Sequence, residues 1–291
     1  MVNVITDPDC TGYAHPGHPE RPERISRTIA LLRKQSAVDI SWLSPDACPD
    51  EAILRAHISD HIARLQMPRD FDSDTPYVDG ILDRARVSVG AAIKGLELVL
   101  HGQSVFSLMR PPGHHATKAR AMGFCYLNNA AIAALAALAR GVRRVAVFDF
   151  DVHHGNGTEA ILVDVPGAAF FSVHQFPCYP GTGTRNVGSN CFNYPVPPKT
   201  QRSEYRHILL DALEHMGKLD PALVIVSAGF DAFVHDPLGQ QMLELEDYHW
   251  LGSRMKALSL PALHLLEGGY SEQLPELIHA YLAGTNGAGA A

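Results

Sequence analysis

Several short runs in this sequence are apolar at every position, not only at every second one. Two examples are VAVF at 145–148 and LVIV at 223–226. A strand with this pattern is buried on both faces, as in a parallel sheet that helices cover on both sides. The runs predict strands at residues 2–5, 104–109, 144–151, 168–174, 223–227 and 262–266.

Longer segments with a helical pattern alternate with these strands. They lie near residues 21–35, 78–101, 126–140, 203–217, 246–259 and 272–283. The alternation predicts an α/β fold with a central, mainly parallel, doubly wound sheet between helical layers. Because no internal repeat and no Pro/Ser-rich linker divides the chain, we expect a single domain over residues 1–283. The sequence GTNGAGAA at 284–291 predicts a flexible C-terminal tail.

Composition and charge exclude several functional classes. The longest apolar run, AAIAALAALA at 130–139, is shorter than the roughly 20 residues that a bilayer span needs, so we expect no membrane association. The start of the sequence shows no secretory signal pattern, which favours the cytoplasm. The net charge of −7 and the absence of a Lys/Arg run argue against direct nucleic-acid binding. The sequence does not indicate an oligomeric state.

The 5 cysteines are scattered without a CxxC pair. This spacing argues against a disulfide framework and against a thiolate zinc site, so we expect free thiols.

Polar motifs close most of the predicted strands or follow them directly. They are RPPGHHA, DVHHGNG, SVH, SAGFDA and EGGY, in chain order. In open α/β sheets, ligands bind outside the carboxyl ends of the strands. The motifs therefore predict one site at that edge of the sheet.

Asp149, Asp151 and His153 stand at alternate positions of the segment 145–157. On a strand their side chains would share one face, and they would crowd together unless a cation compensated their charge. With Asp231 as a third ligand, Asp151 and His153 would leave an open position for water, as in a catalytic metal site. Zinc is the leading ion and Fe²⁺ is compatible. The alternatives are a buried ion pair for Asp151 and His153, and a capping carboxylate for Asp231.

The remaining motifs carry candidates for proton transfer. An imidazole of His114 or His115 beside the metal would act as general base and then as general acid. Tyr270 follows two glycines, and its phenol would donate a hydrogen bond to an oxyanion. Gly123 and Phe124 suit the wall of a narrow apolar passage. The alternatives are surface-loop histidines, a half-buried tyrosine and ordinary packing of Phe124.

Together, RPPGHHA, GFCYLNNAAIA, FDFDVHHGNGT, SVHQFPCYPGTG, SAGFDA and LEGGY resemble, in this order, the motifs of the histone deacetylase and acetylpolyamine amidohydrolase family. HPGHPERPERI near the start is similar to that family's N-terminal segment, so the resemblance runs from about Asp7 to Tyr270. It implies an arginase–deacetylase-like fold and a zinc-dependent amidohydrolase that removes an acyl group from an acylated amine.

The resemblance also implies a role for each matching residue. Zinc would be bound by Asp151, His153 and Asp231. His115 would be the general base and acid, His114 an electrostatic partner held by Asp149, and Tyr270 the group that polarises the scissile carbonyl. A structural potassium ion would be bound by Asp149, Asp151, His153 and Ser172.

Further matches concern the substrate. Phe124 and Tyr179 match aromatic walls that enclose an acyl-lysine chain, and Asp74 matches a rim carboxylate that holds the substrate backbone. Asn156 stands where the first class has an aspartate partnered with the second histidine, which is typical of the class II-like branch. Leu238 occupies the place where polyamine-preferring relatives can carry a glutamate, which favours acyl-lysine. The alternatives are a small-molecule amidohydrolase for acetylpolyamines and a non-catalytic acyl-lysine binding module.

Overall fold

The structure is a computed structural model in which residues 1–288 are described. Its strands are β1 (Val2–Ile5), β2 (Ile40–Leu43), β3 (Val105–Ser107), β4 (Val145–Asp149), β5 (Ala168–Gln175), β6 (Cys191–Val196), β7 (Leu223–Ala228) and β8 (Ala262–Leu266). They form one sheet in the order β2-β1-β3-β8-β7-β4-β5-β6. Every pair of neighbouring strands in this sheet is parallel.

The α-helices of the same residues alternate with the strands. They are α1 (Glu23–Leu32), α2 (Asp50–Ile53), α3 (Ser59–Leu65), α4 (Ile81–Leu100), α5 (Asn129–Ala139), α6 (Asn156–Leu162), α7 (Arg202–Lys218), α8 (Leu245–Ala257) and α9 (Leu274–Asn286). The sheet lies between helical layers: α4, α5 and α6 are in contact, and α1, α8 and α9 form a second group. No helix within residues 1–288 is both long enough and apolar enough to span a bilayer.

The central strands explain why the sequence predicted this fold. Each residue of β4, β5 and β7 is buried, as expected for strands with helices on both faces. All the predicted strands are present, and the parallel α/β architecture is confirmed.

Two strands and three short helices were not predicted. β2 and β6 lie at the two edges of the sheet, where one side of the strand lacks a neighbour. All four residues of β2 are half-buried, and β6 alternates between buried and more exposed positions and contains Pro195. The unbroken apolar pattern therefore misses them. The helices α2, α3 and α6 have only four to seven residues each, too few for a clear helical period.

β4 ends at Asp149, two residues earlier than predicted. An Asp149 Oδ1 accepts a hydrogen bond from the Asp151 N–H (3.1 Å), and Asp151 Oδ1 accepts one from the His153 N–H (2.9 Å). A carboxylate that binds the N–H two residues later makes a turn instead of an extended strand. Successive turns, and not the alternation of a strand, therefore bring these three side chains together.

The last helix also differs from the sequence prediction. α9 continues through Asn286, although a tail was expected from residue 284. Gly284 is buried at the crossing of α9 and α8, where a side chain would collide with the backbone of α8 at His249. The small residues that suggest a tail thus permit close helix packing. Residues 289–291 of the expected tail lie outside the described residues.

Candidate active site

The segments that follow β3, β4, β5, β7 and β8 meet at the carboxyl edge of the sheet. They enclose, together with the loop at Asp74, a cavity of about 290 Å³. The cavity is lined by Asp74, His115, Gly123, Phe124, His153, Cys178, Tyr179, Leu238 and Tyr270. All the residues that the sequence assigns to the substrate channel therefore lie on one cavity with His115, His153 and Tyr270.

The three residues assigned to zinc are buried side by side. Asp151, His153 and Asp231 each offer a ligand atom, and these atoms lie within 4.8 Å of one another. His153 Nδ1 is 3.1 Å from Asp151 Oδ1 and 3.2 Å from Asp231 Oδ2. The remaining carboxylate oxygens accept backbone N–H groups, from Gly268 to Asp151 Oδ2 (2.7 Å) and from Val152 to Asp231 Oδ1 (2.8 Å). These hydrogen bonds fix the orientation of both carboxylates.

The charges of this triad fit a bound cation. Burial raises the pKa of Asp231 to about 7, and the negative charge of Asp151 acts in the same direction. Burial opposes protonation of His153, but its hydrogen bonds to Asp151 and Asp231 hold the pKa of His153 well above its usual range. The protonated imidazole thus compensates two crowded carboxylates, and a metal ion would take over that task. Two carboxylates and one imidazole suit zinc or Fe²⁺.

Two glycines make room for these carboxylates. A side chain on Gly229 would collide with the Asp151 carboxylate, and one on Gly268 would collide with the carboxylates of both Asp151 and Asp231. The carboxylates of Asp151 and Asp231 therefore occupy the space that a side chain at either glycine would fill.

His115 is oriented by Asn156 at the start of α6. Asn156 Nδ2 donates to Met122 Sδ (3.5 Å), which turns its Oδ1 towards His115 Nδ1 at 2.7 Å. His115 Nδ1 then carries the proton, and Nε2 remains available as a base. Burial lowers the pKa of His115 well below its usual range, and the positive charges of His114 and His153 act in the same direction. The ring is therefore neutral in these surroundings.

His114 lies beside His115, with their ring centroids 4.0 Å apart. The loop therefore presents both rings to one site, although they are adjacent in the chain. His114 Nδ1 is 3.0 Å from Asp149 Oδ2. Burial opposes its protonation, but the charges of Asp151 and Asp149 raise the pKa of His114 to about 10. His114 is thus a cation paired with Asp149.

Tyr270 follows β8 in the chain and lines the same cavity as His115. The Arg24 guanidinium lies over its ring, 4.8 Å from the centroid. Arg24 also donates hydrogen bonds to the carbonyls of Gly269 (2.7 Å) and Glu267 (2.5 Å). Arg24 therefore fixes both the ring and the backbone turn that carries it.

Gly123 and Phe124 form a sharply turned wall. Both have a positive φ, 55° and 67°, and a side chain on Gly123 would collide with His115 and Tyr179. Such a conformation is costly for phenylalanine and needs support. The Phe124 N–H donates to Thr75 Oγ1 (3.1 Å), and its ring makes edge contacts with Tyr270 at a centroid distance of 5.7 Å. Tyr179 makes an edge contact with His115 at 5.1 Å.

Asp74 and Leu238 also line the cavity, and both are half-buried. Burial raises the pKa of Asp74, and Asp72 adds to this effect. An aliphatic Leu238 offers no charge to a distal ammonium.

Ser172 lies on β5 directly opposite Asp149 on β4, and both are fully buried. Ser172 Oγ is hydrogen-bonded to His174 Nδ1 (2.8 Å). Two of the four residues that the resemblance assigns to a potassium ion, Asp149 and Ser172, are therefore neighbours in the sheet.

The sequence analysis assigned no role to several residues that the structure places at the site. Glu267 accepts the N–H groups of Gly113 (2.7 Å) and His114 (3.1 Å), so it holds the loop of the two histidines. Cys178 lines the cavity, and all the cysteines are free, as predicted. Glu267 stands in the motif LEGGY, but Gly113 and His114 are more than 150 residues away from it, and no local pattern reveals these contacts.

Comparisons with known proteins show the family of this chain. The family described as "Histone deacetylase domain" matches residues 18–285. The chain is 37% identical to a "Probable deacetylase" of Methanothermobacter thermautotrophicus, over 98% of this chain and 90% of the relative. It is 36% identical to a "Histone deacetylase-like amidohydrolase" of Pseudomonas aeruginosa, over 88% of this chain and 73% of the relative.

A solved structure shares the fold along its whole length. The acetylpolyamine aminohydrolase from Burkholderia pseudomallei superposes with a TM-score of 0.91 at 27% identity, and the match covers 98% of each chain. The fold is thus the arginase–deacetylase type that the motifs imply. The chain belongs to the histone deacetylase family and is a hydrolase that acts on amide bonds.

Proposed function

We propose that this protein is a zinc-dependent deacylase that hydrolyses the amide of an acylated amine, most favourably an acyl-lysine side chain. The observation that carries the proposal is that one cavity is lined by His153, by the oriented imidazole of His115 and by the phenol of Tyr270, while Asp151 and Asp231 lie beside His153 as the other two candidate ligands. A binding module without catalysis would need none of the proton-transfer groups. Their joint presence therefore favours an enzyme.

Asp151, His153 and Asp231 would hold the metal. When bound, zinc or Fe²⁺ supplies a Lewis acid that polarises the carbonyl and acidifies water. The ligand set contains no thiolate, which keeps Fe²⁺ as the alternative ion. We propose that Asp149 and Ser172, with Asp151 and His153, surround a structural potassium ion. Its positive charge would offset part of the negative charge of Asp149 and Asp151.

Proton transfer falls to His115. Its Nε2 accepts a proton from the attacking water while Asn156 holds the Nδ1 proton. The same nitrogen then gives that proton to the departing amine as the C–N bond breaks. Because the surroundings of His115 disfavour the imidazolium, the protonated ring is a strong acid for this second step. Meanwhile the Tyr270 hydroxyl donates to the carbonyl oxygen as negative charge develops there.

Replacing Tyr270 by phenylalanine tests the oxyanion role. We expect the kcat to fall by roughly two to three powers of ten, the usual effect of removing one oxyanion donor. The KM should change little, because the ring remains in place over Arg24. Steady-state kinetics measures both values, and an unchanged kcat would refute the role. Tyr281→Phe, which changes a buried phenol that does not line the cavity, is the matched control.

The substrate class depends on the part of the cavity near Leu238, which would hold the substrate chain beyond the scissile amide. Leu238 favours an apolar acyl-lysine chain, whereas the names of solved and curated relatives point to acetylpolyamines. Amine release should be compared on an acetyl-lysine peptide, a trifluoroacetyl-lysine peptide and N-acetylputrescine. We expect a peptide to be preferred by at least about tenfold, which corresponds to about 1.4 kcal/mol in the transition state.

A variant at Leu238 makes this comparison sharper. Leu238→Glu should shift kcat/KM towards N-acetylputrescine, because its carboxylate would pair with the distal ammonium, while Leu238→Met should leave the preference unchanged. A wild-type preference for N-acetylputrescine would instead support the polyamine amidohydrolase. Lack of turnover on all three substrates would contradict the proposed acyl-lysine activity.

A further inference from the structure

Asp236 binds backbone groups from two separate walls of the cavity. It lies in the loop after β7 and is only 6% exposed. Its Oδ2 accepts hydrogen bonds from the N–H groups of Tyr270 (2.6 Å) and Ser271 (3.2 Å), and its Oδ1 accepts one from Leu238 (2.9 Å). Tyr270 and Leu238 both line the cavity. One buried carboxylate thus joins the proposed oxyanion donor to the proposed substrate-selecting residue.

We infer that Asp236 is a positioning residue that sets the Tyr270 hydroxyl for catalysis and Leu238 for substrate selection. The inference rests on the proposed function, because Asp236 acts through these two residues. It contacts neither the ligand atoms of the zinc triad nor the cavity surface within the described residues.

The turn before Tyr270 needs such support. Gly268 and Gly269 precede it, and Gly269 has a φ of 119°, so this backbone has little conformational preference of its own. Arg24 binds the carbonyls of Glu267 and Gly269, which fixes one side of the turn. Asp236 binds the N–H groups that follow the glycines and fixes the other side. Loss of the hydrogen bonds on either side of the turn would leave the Tyr270 phenol free to move away from the carbonyl oxygen of the substrate.

The carboxylate is also suited to this task in a way that an amide is not. Both oxygens of Asp236 accept hydrogen bonds, one from the tyrosine turn and one from Leu238. An asparagine has one acceptor oxygen, so its NH₂ group would face an N–H on one of the two walls. Asp236→Asn therefore keeps the size of the side chain but can support only one wall at a time.

The test is a double-mutant cycle with Tyr270→Phe. In the wild-type background, Asp236→Asn should lower kcat by about ten- to a hundredfold, as expected for a misplaced catalytic group. In the Tyr270→Phe background it should lower kcat by less than about twofold, because the hydroxyl that it positions is already gone. The effect through Leu238 should appear as a change in KM that persists in both backgrounds. Metal content should stay near that of the wild type.

Asp247→Asn is the matched control. Asp247 is also a buried carboxylate that accepts a backbone N–H, from Glu244 (2.7 Å), but it lies at the start of α8 and pairs with Arg202 and Arg206. It should lower the melting temperature and leave kcat and KM unchanged in both backgrounds. An equal loss of kcat from Asp236→Asn in both backgrounds would overturn the inference, and so would an unchanged kcat.

A second measurement covers the case in which Asp236→Asn does not fold. Hydrogen exchange in the wild-type protein should show the Tyr270 and Leu238 amides protected far beyond those of exposed loops. Exchange of either amide at the rate of an exposed loop would overturn the inference. Failure of the proposed function is recognised separately, since the wild-type protein would then turn over none of the three substrates.

Discussion

His115→Ala is expected to abolish measurable turnover while the zinc content stays near one ion per chain. In the proposed mechanism the imidazole accepts a proton from water and donates it to the amine, so its loss would remove both steps. Loss of a general acid–base group alone costs roughly two to four powers of ten. The reaction is checked by amine release and the metal by elemental analysis.

Asn156→Ala provides a graded comparison for this prediction. It keeps the His115 ring but removes the carbonyl oxygen that holds its Nδ1 proton at 2.7 Å. We expect a smaller loss than for His115→Ala, on the order of ten- to a hundredfold, the size typical of orienting partners. Turnover retained in His115→Ala would remove the general-base assignment, whatever the effect at Asn156.

Asp231→Ala is expected to lose the bound metal almost completely. The change removes one of three ligands and leaves Asp151 and His153, which cannot complete a tight site for a divalent ion. It also leaves the Val152 N–H without its acceptor. The metal content, measured by elemental analysis after dialysis, should fall from near one ion per chain to near zero.

Asp149→Asn separates ligation from the general effect of a buried negative charge. Asp149 is fully buried next to the triad and pairs with His114, but it is not assigned to zinc. We expect this variant to retain zinc. A normally metallated Asp231→Ala together with a metal-free Asp149→Asn would show that the third ligand was wrongly chosen.

The sequence predicted the central part of the fold because its strands have a strong local signal. β4, β5 and β7 each begin with four apolar residues, and their carboxyl ends must lie at one edge of a parallel sheet. The edge strands β2 and β6 lack that signal because one side of each has no neighbouring strand. The sequence analysis also missed the short turns at Asp149 and Asp151. Each carboxylate accepts a hydrogen bond from the N–H two residues later, and in the sequence this residue cannot be distinguished from a continuation of the strand.

The candidate site, like the fold, has a part that the sequence predicted and a part that it did not. Local motifs predicted the candidate ligands and the candidate proton-transfer residues, and the structure places their side chains close together. The residues that hold them could not be predicted, because their partners are distant in the chain. Asp236 is 34 residues from Tyr270, and Arg24 is 245 residues from Gly269. No periodicity or spacing relates such pairs before the chain is folded.

The two glycines beside the ligands have a consequence for how this enzyme can change over evolutionary time. Gly229 and Gly268 contribute no ligand atom, yet any larger residue there would displace the carboxylates of Asp151 or Asp231. Leu238 and Asp74 face the cavity from other loops, where substitutions leave these carboxylates untouched. New substrate preferences can therefore arise by drift at such loop positions, while the hydrolytic chemistry is inherited unchanged.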